Sequence, residues 1–144
     1  MTTVVQKSAL VKYSAKQMFD LVNDIEAYPQ FLTWCSSSRI LKRDDTIIEA
    51  ELVIAKNGFH KAFATRNKID HGGSISMSLL NGPFSHLEGV WRFMPLREDA
   101  SKISLDLEFE MSGKLTSLAF GALFNQISNT MVSSFTQRAK SIYV

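Results

Sequence analysis

Histidine and cysteine are the residue types in this 144-residue chain that most often carry catalytic or metal chemistry. The three histidines, His60, His71 and His86, lack the i, i+4 or clustered spacing of a metal site. Cys35 is the only cysteine, and no motif places a histidine beside it as in a thiol nucleophile. We therefore predict no metal centre, and we expect Cys35 to be a small buried apolar residue.

Acidic residues give no better catalytic signal. Asp106, Glu108 and Glu110 alternate with apolar residues, so they form the solvated side of one strand rather than an acid/base pair. The chain also lacks a glycine-rich loop that could cradle phosphate. An enzyme such as a cyclase would need a general acid or base facing its interior, and no Asp, Glu, His or Lys stands out at an inward position. We expect no catalytic residue, and a cyclase remains the weaker alternative.

Two polar residues stand where a strand should face the core. Thr65 and Asn67 share the inward parity of Phe63 and Ile69. Burying such groups without a hydrogen bond costs about 1–3 kcal/mol. Either they bond to backbone, water or a neighbouring side chain, or they orient the polar head of a ligand in an apolar cavity.

Aromatic residues from separate stretches of the chain form the apolar counterpart of this pair. They suit a packed aromatic core and equally suit a lipid-like pocket, so residue type leaves both readings open. The predicted cavity residues are Phe31, Trp34, Phe63, Thr65, Asn67, Phe84, Leu87, Trp91, Phe120, Phe124, Ile127 and Met131.

Basic residues offer a second kind of binding surface. Arg39 and Arg43 share one parity, and Arg66 and Lys68 lie near the same outward face of the predicted sheet. They could contact phosphate, or they could be neutralised by glutamates on neighbouring strands. The net charge of +2 is too small to argue for nucleic-acid binding by itself.

Period-two alternation dominates the first hundred residues, and it must position all these side chains. The pattern predicts a strand, two short helices, about six strands joined by hairpins, and one long helix. The strands are predicted over 4–13, 38–43, 47–55, 59–70, 74–80, 86–93 and 102–111, and the helices over 15–23, 25–28 and 115–143. This order predicts an α+β helix-grip fold, a curved antiparallel sheet of six or seven strands crossed by the long helix, in a single domain spanning 1–144.

The long helix itself has two different halves. Its second half places Phe135 and Ile142 on one apolar arc and polar residues opposite, as in a structural clamp. Its first half is apolar on both sides, because Leu115, Leu118 and Ala122 lie where later turns are polar. A buried start, a lid over a pocket, and a contact with membrane or partner would each explain that half.

Composition places few further limits on function. Hydrophobic residues make up 45% and charged residues 21%, an ordinary balance for a globular protein. Neither a signal peptide nor an apolar run of about 18 residues is present, so no transmembrane segment is predicted. We expect a cytoplasmic protein, with peripheral contact at the inner membrane as a further option.

Several motifs together resemble one known family. They are residues 21–35 (LVNDIEAYPQFLTWC), 65–67 (TRN), 81–84 (NGPF), 87–93 (LEGVWRF) and the spaced MV, F, RA and IY of 131–143. In this order they resemble the START-like family, of the polyketide cyclase/START superfamily, that holds the mitochondrial coenzyme Q-binding proteins and the bacterial ribosome-association toxins. Thr33 departs from the proline usual in that family after Phe-Leu.

The resemblance implies a helix-grip fold with a deep apolar cavity. It implies two functional themes, binding of ubiquinone in support of respiration and association with the large ribosomal subunit that blocks subunit joining. Binding of ubiquinone or a similar isoprenoid lipid is our leading hypothesis from the sequence, and ribosome association is the alternative. No cofactor is expected beyond such a ligand.

Overall fold

The structure is a computed structural model that describes residues 2–113 and 115–143, and the side chains of all of these except 115–117. The elements are β1 Thr3–Val11, α1 Ala15–Asn23, a 3-10 helix Ile25–Gln30, β2 Cys35–Arg43, β3 Ile47–Lys56, β4 Phe59–Asp70, β5 Ser74–Asn81, β6 Phe84–Arg97, β7 Ala100–Met111 and α2 Leu115–Ile142.

The strands form one curved antiparallel sheet in the order β1-β7-β6-β5-β4-β3-β2. Strands β2 to β7 follow one another as hairpins, and β1 pairs with β7 at the far edge. Strand β7 shows why one face of the sheet is covered, because every second residue from Ile103 to Phe109 is buried while those between them are partly exposed. Helix α2 covers this apolar face, and the helix-grip prediction is confirmed.

Four strands begin earlier than the alternation predicts, among them β1 at Thr3 rather than at 4 and β7 at Ala100 rather than at 102. Strand β2 starts at Cys35 rather than at 38, because a register shift between Cys35 and Ser37 interrupts the period of two. Strand β6 starts at Phe84 rather than at 86, directly after the turn, and a second register shift lies between Phe84 and His86. A bulge interrupts the alternation of apolar and polar residues, so periodicity alone misplaces the ends of strands β2 and β6.

The short helices agree with the sequence only in part. Helix α1 has the predicted bounds, and Ser14 caps it, since its hydroxyl accepts from the Gln17 N–H at 3.0 Å and the Gln17 side chain accepts from the Ser14 N–H at 2.9 Å. The second helix was predicted to end at Tyr28 before Pro29, and this is wrong. It is a 3-10 helix that continues through Pro29 to Gln30, and the Asp24 side chain makes no capping bond.

Helix α2 has the predicted bounds to within one residue. Phe124, Phe135 and Ala139 face the sheet and are buried. Ile142, predicted to be part of the buried arc, is 44% exposed, while the Tyr143 ring beside it packs against Tyr13 with 5.9 Å between centroids. The first half is not buried all round either, since Leu118 is 77% exposed.

The exposed side of the first half of α2 extends beyond Leu118. Ala119 and Ala122 are also exposed, which removes the buried-start explanation for that part of α2. The side chain of Leu115, predicted to share this surface, lies outside the described residues. No helix within the described ranges is long and apolar enough to cross a membrane.

Candidate functional site

A cavity of about 80 Å³ lies between α2 and the inner face of the sheet. Nine of the twelve predicted cavity residues line it, namely Trp34, Phe63, Thr65, Asn67, Leu87, Trp91, Phe124, Ile127 and Met131. An apolar cavity of about 150 Å³ can hold benzene, and pockets for larger ligands run from about 300 Å³ upward. The deep cavity implied by the family resemblance is therefore nearly closed in this conformation.

Two of the remaining predicted residues, Phe84 and Phe120, do not line the cavity but belong to an aromatic cluster beside it. The Phe84 and Phe124 rings lie 4.8 Å apart between centroids, in a T-shaped arrangement. Phe109 packs on Phe124 at the same distance, and Phe120 lies 5.5 Å from Phe59 at the β3–β4 hairpin. These rings fill one end of the space under α2, because edge-to-face packing favours a dense cluster.

Phe31 does not line the cavity. It is half-buried and packs edge-on against Phe135, with ring centroids 5.3 Å apart. The Arg138 guanidinium lies over its outer face, 4.9 Å from the ring centroid, and donates to the Gln30 side chain at 2.9 Å. Phe31 therefore anchors the 3-10 helix to α2 instead of facing the cavity.

The two inward polar residues of β4 are partners of each other. The Thr65 hydroxyl donates to Asn67 Oδ1 at 2.8 Å, and Asn67 is 7% exposed. The two residues point the same way from alternate positions of one strand, which brings their side chains together. The structure thus supplies a neighbouring side chain as the partner, and it places the pair on the cavity wall.

The other hydroxyl groups on the cavity wall are also engaged within the protein. The Tyr28 hydroxyl donates to the Val22 carbonyl, and the Ser128 hydroxyl donates to the Phe124 carbonyl at 2.7 Å. Burial raises the pKa of Tyr28 well above its usual range. Tyr28 stays protonated at neutral pH, so it offers the cavity no base.

Trp34 carries the polar group that the sequence did not single out. Its ring is 5% exposed, and its Nε1–H is buried without an acceptor among the described residues. Strand parity cannot reveal this, because Trp34 lies in the loop that precedes β2. A count of donors and acceptors in the folded protein is needed to find it.

The cavity contains none of the groups that general acid–base catalysis uses most. None of the residues lining it is Asp, Glu, His, Lys, Arg or Cys. Cys35 is buried at the start of β2, and burial raises the pKa of its thiol to about 11, so little thiolate forms near neutral pH. The arrangement can enclose an apolar molecule, and it offers little for proton transfer or nucleophilic attack.

Of the predicted basic residues, Arg39, Arg66 and Lys68 lie on the outer face of the sheet, and the arginines are paired. The predicted shared parity of Arg39 and Arg43 is wrong, because the register shift between Ile40 and Lys42 places Arg43 opposite Ile48, which faces inward. Arg39 contacts Glu51 at 3.3 Å, Arg43 contacts Glu26 at 3.6 Å, and Arg66 contacts Glu49 at 2.6 Å. Lys68 is exposed and makes no ion pair within the part of the chain that the structure describes. The arginine side chains are each at least 50% exposed, so each pair contributes only about 0–1 kcal/mol of stability.

A second charged group lies on the same outer face, across β6 and β7. His86 Nε2 lies 2.9 Å from Glu108 Oε1, and Glu88 stands opposite Glu108 in the strand register. Potential ligand atoms of these three residues lie within 4.8 Å of one another. Sequence spacing missed this proximity, because β6 and β7 place residues 22 positions apart side by side.

This chain is similar to known proteins over nearly its whole length. A family model described as polyketide cyclase / dehydrase and lipid transport matches residues 11–136. The chain is 50% identical over 143 residues to the ribosome association toxin RatA of Pseudomonas aeruginosa, with 99% of each chain covered. It is 49% identical over 139 residues to the ribosome association toxin RatA of Vibrio cholerae, with 96% of each chain covered.

A more distant relative carries a different name. The chain is 28% identical to the mitochondrial coenzyme Q-binding protein COQ10 homolog B of Xenopus laevis, over 95% of this chain and 58% of the relative. The resemblance here covers nearly the whole of this chain at a lower identity.

Solved structures agree on the architecture. The Zhui aromatase/cyclase of Streptomyces sp. R1128 superposes with a TM-score of 0.85 at 15% identity, over 97% of this chain and 94% of that one. A START superfamily protein of Mycobacterium smegmatis gives 0.81 at 22% identity, over 96% and 98%. At these identities the superpositions show a shared fold alone. From the family-model match and the RatA relatives, this chain belongs to the polyketide cyclase / dehydrase and lipid transport family, in the START-like group that includes the ribosome association toxins RatA.

Proposed function

We propose that this protein associates with the large ribosomal subunit in the cytoplasm and hinders the joining of the two subunits. The observation that carries this proposal is the full-length similarity to RatA proteins, at 50% identity over 99% of both chains. This reverses the order of the two hypotheses drawn from the sequence, because the coenzyme Q-binding relative is much more distant.

The outer face of the sheet has suitable chemistry for such a partner. Arg39 and Arg66 are exposed and held only by surface pairs with glutamates. Exchanging a carboxylate for an RNA phosphate costs an arginine little, since both acceptors fit the same planar guanidinium. Lys68 has no ion pair to break among the described residues. Electrostatic binding of this kind weakens as salt is added, because released counterions drive it.

Co-sedimentation tests the proposal. Purified protein is layered with isolated large or small subunits on sucrose, in parallel at low and raised salt. We expect the protein to pellet with large subunits at low salt and to remain in the supernatant as salt rises. No pelleting with large subunits at low salt contradicts the proposal, and so does equal pelleting with both subunits.

A second function is supported by the cavity under α2. We propose that it holds a neutral apolar molecule, with ubiquinone or another isoprenoid lipid as the leading candidate. The observation favouring this role is an almost wholly apolar wall that includes one polar pair, Thr65 and Asn67. Because the cavity is only about 80 Å³, binding requires α2 or the side chains beneath it to move. The two roles are compatible, since one uses the inside of the sheet and the other its outside.

Extraction tests the second function. Protein purified without detergent is extracted with organic solvent, and the extract is analysed for quinones by mass spectrometry. We expect a quinone in stoichiometric amount, or its uptake when it is added to the purified protein. If no quinone is extracted and none is taken up, the second function is contradicted. The proposal of ribosome association is not affected by that result.

The absence of an ionisable catalytic residue favours a binding protein over a cyclase. The cyclases among the structural neighbours share the fold alone with this chain. We accordingly propose a non-enzymatic role.

A further inference from the structure

Hydrogen-bond donors without acceptors mark one part of the cavity wall. Trp34 Nε1–H is buried, and no oxygen of the described residues accepts its proton. A buried donor left in this way costs about 1–3 kcal/mol. Trp34 is a lining residue of the cavity, and because ligand entry already requires neighbouring side chains to move, an acceptor on the ligand can reach this donor.

Asn67 adds donors of the same kind. Its Oδ1 accepts from Thr65 at 2.8 Å, while its Nδ2 group makes no hydrogen bond with any described residue. Trp91, which also lines the cavity, likewise has no acceptor for its Nε1–H among the described residues. Three side chains of the wall therefore present N–H groups that lack acceptors.

The hydroxyl groups of the wall do not supply the missing acceptors. Thr65, Tyr28 and Ser128 each donate within the protein, to Asn67, Val22 and Phe124 respectively. Their lone pairs are not within hydrogen-bonding geometry of the tryptophan N–H groups. An incoming molecule thus meets a surplus of donors.

The wall also carries no charge. Among the described residues, no Lys, Arg, His, Asp or Glu lines the cavity, so a charged ligand would lose its hydration without gaining a counter-ion there. Neutral ligands avoid this cost. The donors and the missing charge together define a ligand class more narrowly than an apolar cavity alone.

We propose that the cavity selects neutral, mostly apolar molecules that carry a carbonyl oxygen, with Trp34 and Asn67 as the residues that determine this preference. The carbonyl accepts from Trp34 Nε1–H and Asn67 Nδ2–H, and the apolar wall holds the remainder of the molecule. This inference rests on the second proposed function, binding of an apolar ligand under α2, and is independent of ribosome association.

Three small probes that share a tetramethyl-substituted six-membered ring separate the contributions of apolar contact, a carbonyl group and charge. Durene is the apolar reference, duroquinone adds two carbonyls, and 2,3,5,6-tetramethylbenzoate adds a charge. Each is larger than the 80 Å³ cavity, and entry requires the flexible Met77 and Met131 side chains on the wall to rearrange. Duroquinone has no free ring position, so it does not undergo conjugate addition by a thiol.

The readout is a ¹⁵N-resolved NMR titration of the intact protein. The chain has two tryptophans, so the spectrum holds two indole N–H signals, which Trp34→Phe assigns. We expect the Trp34 signal to move downfield with duroquinone, as in a new hydrogen bond, and not with durene. We expect duroquinone to bind about 2- to 10-fold more tightly than durene, as one neutral hydrogen bond allows, and the benzoate to bind least.

The variants use a ratio as their internal control. In Trp34→Phe and Asn67→Leu the ratio of durene to duroquinone dissociation constants should fall toward one, whereas general damage to the cavity weakens both probes together. The thermal unfolding midpoint of each variant shows whether it is folded. The titration of the wild-type protein tests the proposal even if a variant does not fold.

Each outcome decides between the proposals. A duroquinone preference with a downfield Trp34 shift supports the inference. Equal binding of durene and duroquinone without that shift overturns the donor preference and leaves the cavity as a binding site. Tighter binding of the benzoate also overturns it. Failure of all three probes to bind overturns the inference together with the second proposed function.

Discussion

Phe124 lies where the long helix, the cavity and the aromatic cluster meet. It is 5% exposed, lines the cavity, and touches the Phe63, Phe84 and Phe109 rings. Ile142, predicted from the helical wheel to share its face, is 44% exposed. Two apolar residues on the same face of the helical wheel are thus buried to very different extents.

Replacing each residue by alanine should therefore cost very different amounts of stability. Phe124→Ala is expected to lower the free energy of unfolding by about 3–5 kcal/mol, because it removes a buried ring and enlarges the cavity. Ile142→Ala is the matched control and should cost less than about 1 kcal/mol. Urea unfolding of both variants gives the two values. Similar losses in both would show that Ile142 is buried in solution.

His86 forms a hydrogen-bonded pair with a carboxylate on the outer face of the sheet. Its hydrogen bond to Glu108, with Glu88 and Glu110 nearby, raises the pKa of His86 above 6.5. Because the folded-state pKa exceeds the unfolded one, this contact stabilises the fold fully below the unfolded pKa. The contribution is lost as the pH rises through the folded pKa.

Glu108→Gln should therefore lower the pKa of His86, measured from its imidazole proton shift by NMR. The loss of stability caused by the substitution should be larger at about pH 5.5 than at about pH 8.5. An unchanged His86 pKa in Glu108→Gln would contradict the role given to this pair.

At the residue scale, strand parity gave the correct face in uninterrupted strands and the wrong face for Arg43, which follows the register shift in β2. Thr65 and Asn67 face inward as expected, because one strand fixes both directions. Phe31 was misplaced and the orphan N–H of Trp34 was missed, since both lie in segments without a simple period. Parity has no meaning in a 3-10 helix or a loop.

Local sequence signals decided most of the elements. Asn57 and Gly58 adopt positive φ angles of 53° and 83°, which is the backbone that an Asn-Gly hairpin favours, and the predicted β3–β4 connection is confirmed. The capping box at Ser14 likewise fixed the start of α1. Helix α2 was predicted by length and period, but its exposed first half depends on how the sheet curves beneath it, which no local pattern reports.

The capping box gives a test at the scale of one helix. Ser14→Ala removes the bond to the Gln17 N–H and should cost about 1 kcal/mol of stability. Ser133→Ala, on the exposed side of α2, is the control, because its hydroxyl only bonds back to Thr130 at 2.9 Å. Thermal unfolding of both variants is the measurement. A Ser14 variant as stable as wild type would exclude the cap as a stabilising feature.

At the scale of the whole molecule, the two sides of the sheet have separate chemistry. The inner side is apolar and holds the cavity, while the outer side carries exposed charged residues arranged in cross-strand pairs. The sequence predicted these two sides by alternation. It could not decide whether the arginines were paired, because each partner comes from another element.

Lys68 and Lys102 provide a matched pair for locating the ribosome contact. Both are exposed lysines that make no ion pair within the described residues, and they lie three strands apart in the sheet, on β4 and β7. Lys68→Ala should reduce the slope of log affinity against log salt by about one if Lys68 contacts a phosphate. Lys102→Ala should leave that slope unchanged. Equal slopes for Lys68→Ala and wild type would move the contact elsewhere on the surface.

The central claim is that binding of this protein hinders the joining of ribosomal subunits, and subunit association measures it most directly. Purified large and small subunits are mixed at a magnesium concentration that favours joining, with increasing amounts of the protein, and are separated on a sucrose gradient. We predict that the joined-ribosome peak falls and both free-subunit peaks rise, with the protein migrating in the large-subunit fractions. An unchanged joined-ribosome peak in the presence of excess folded protein would contradict the claim.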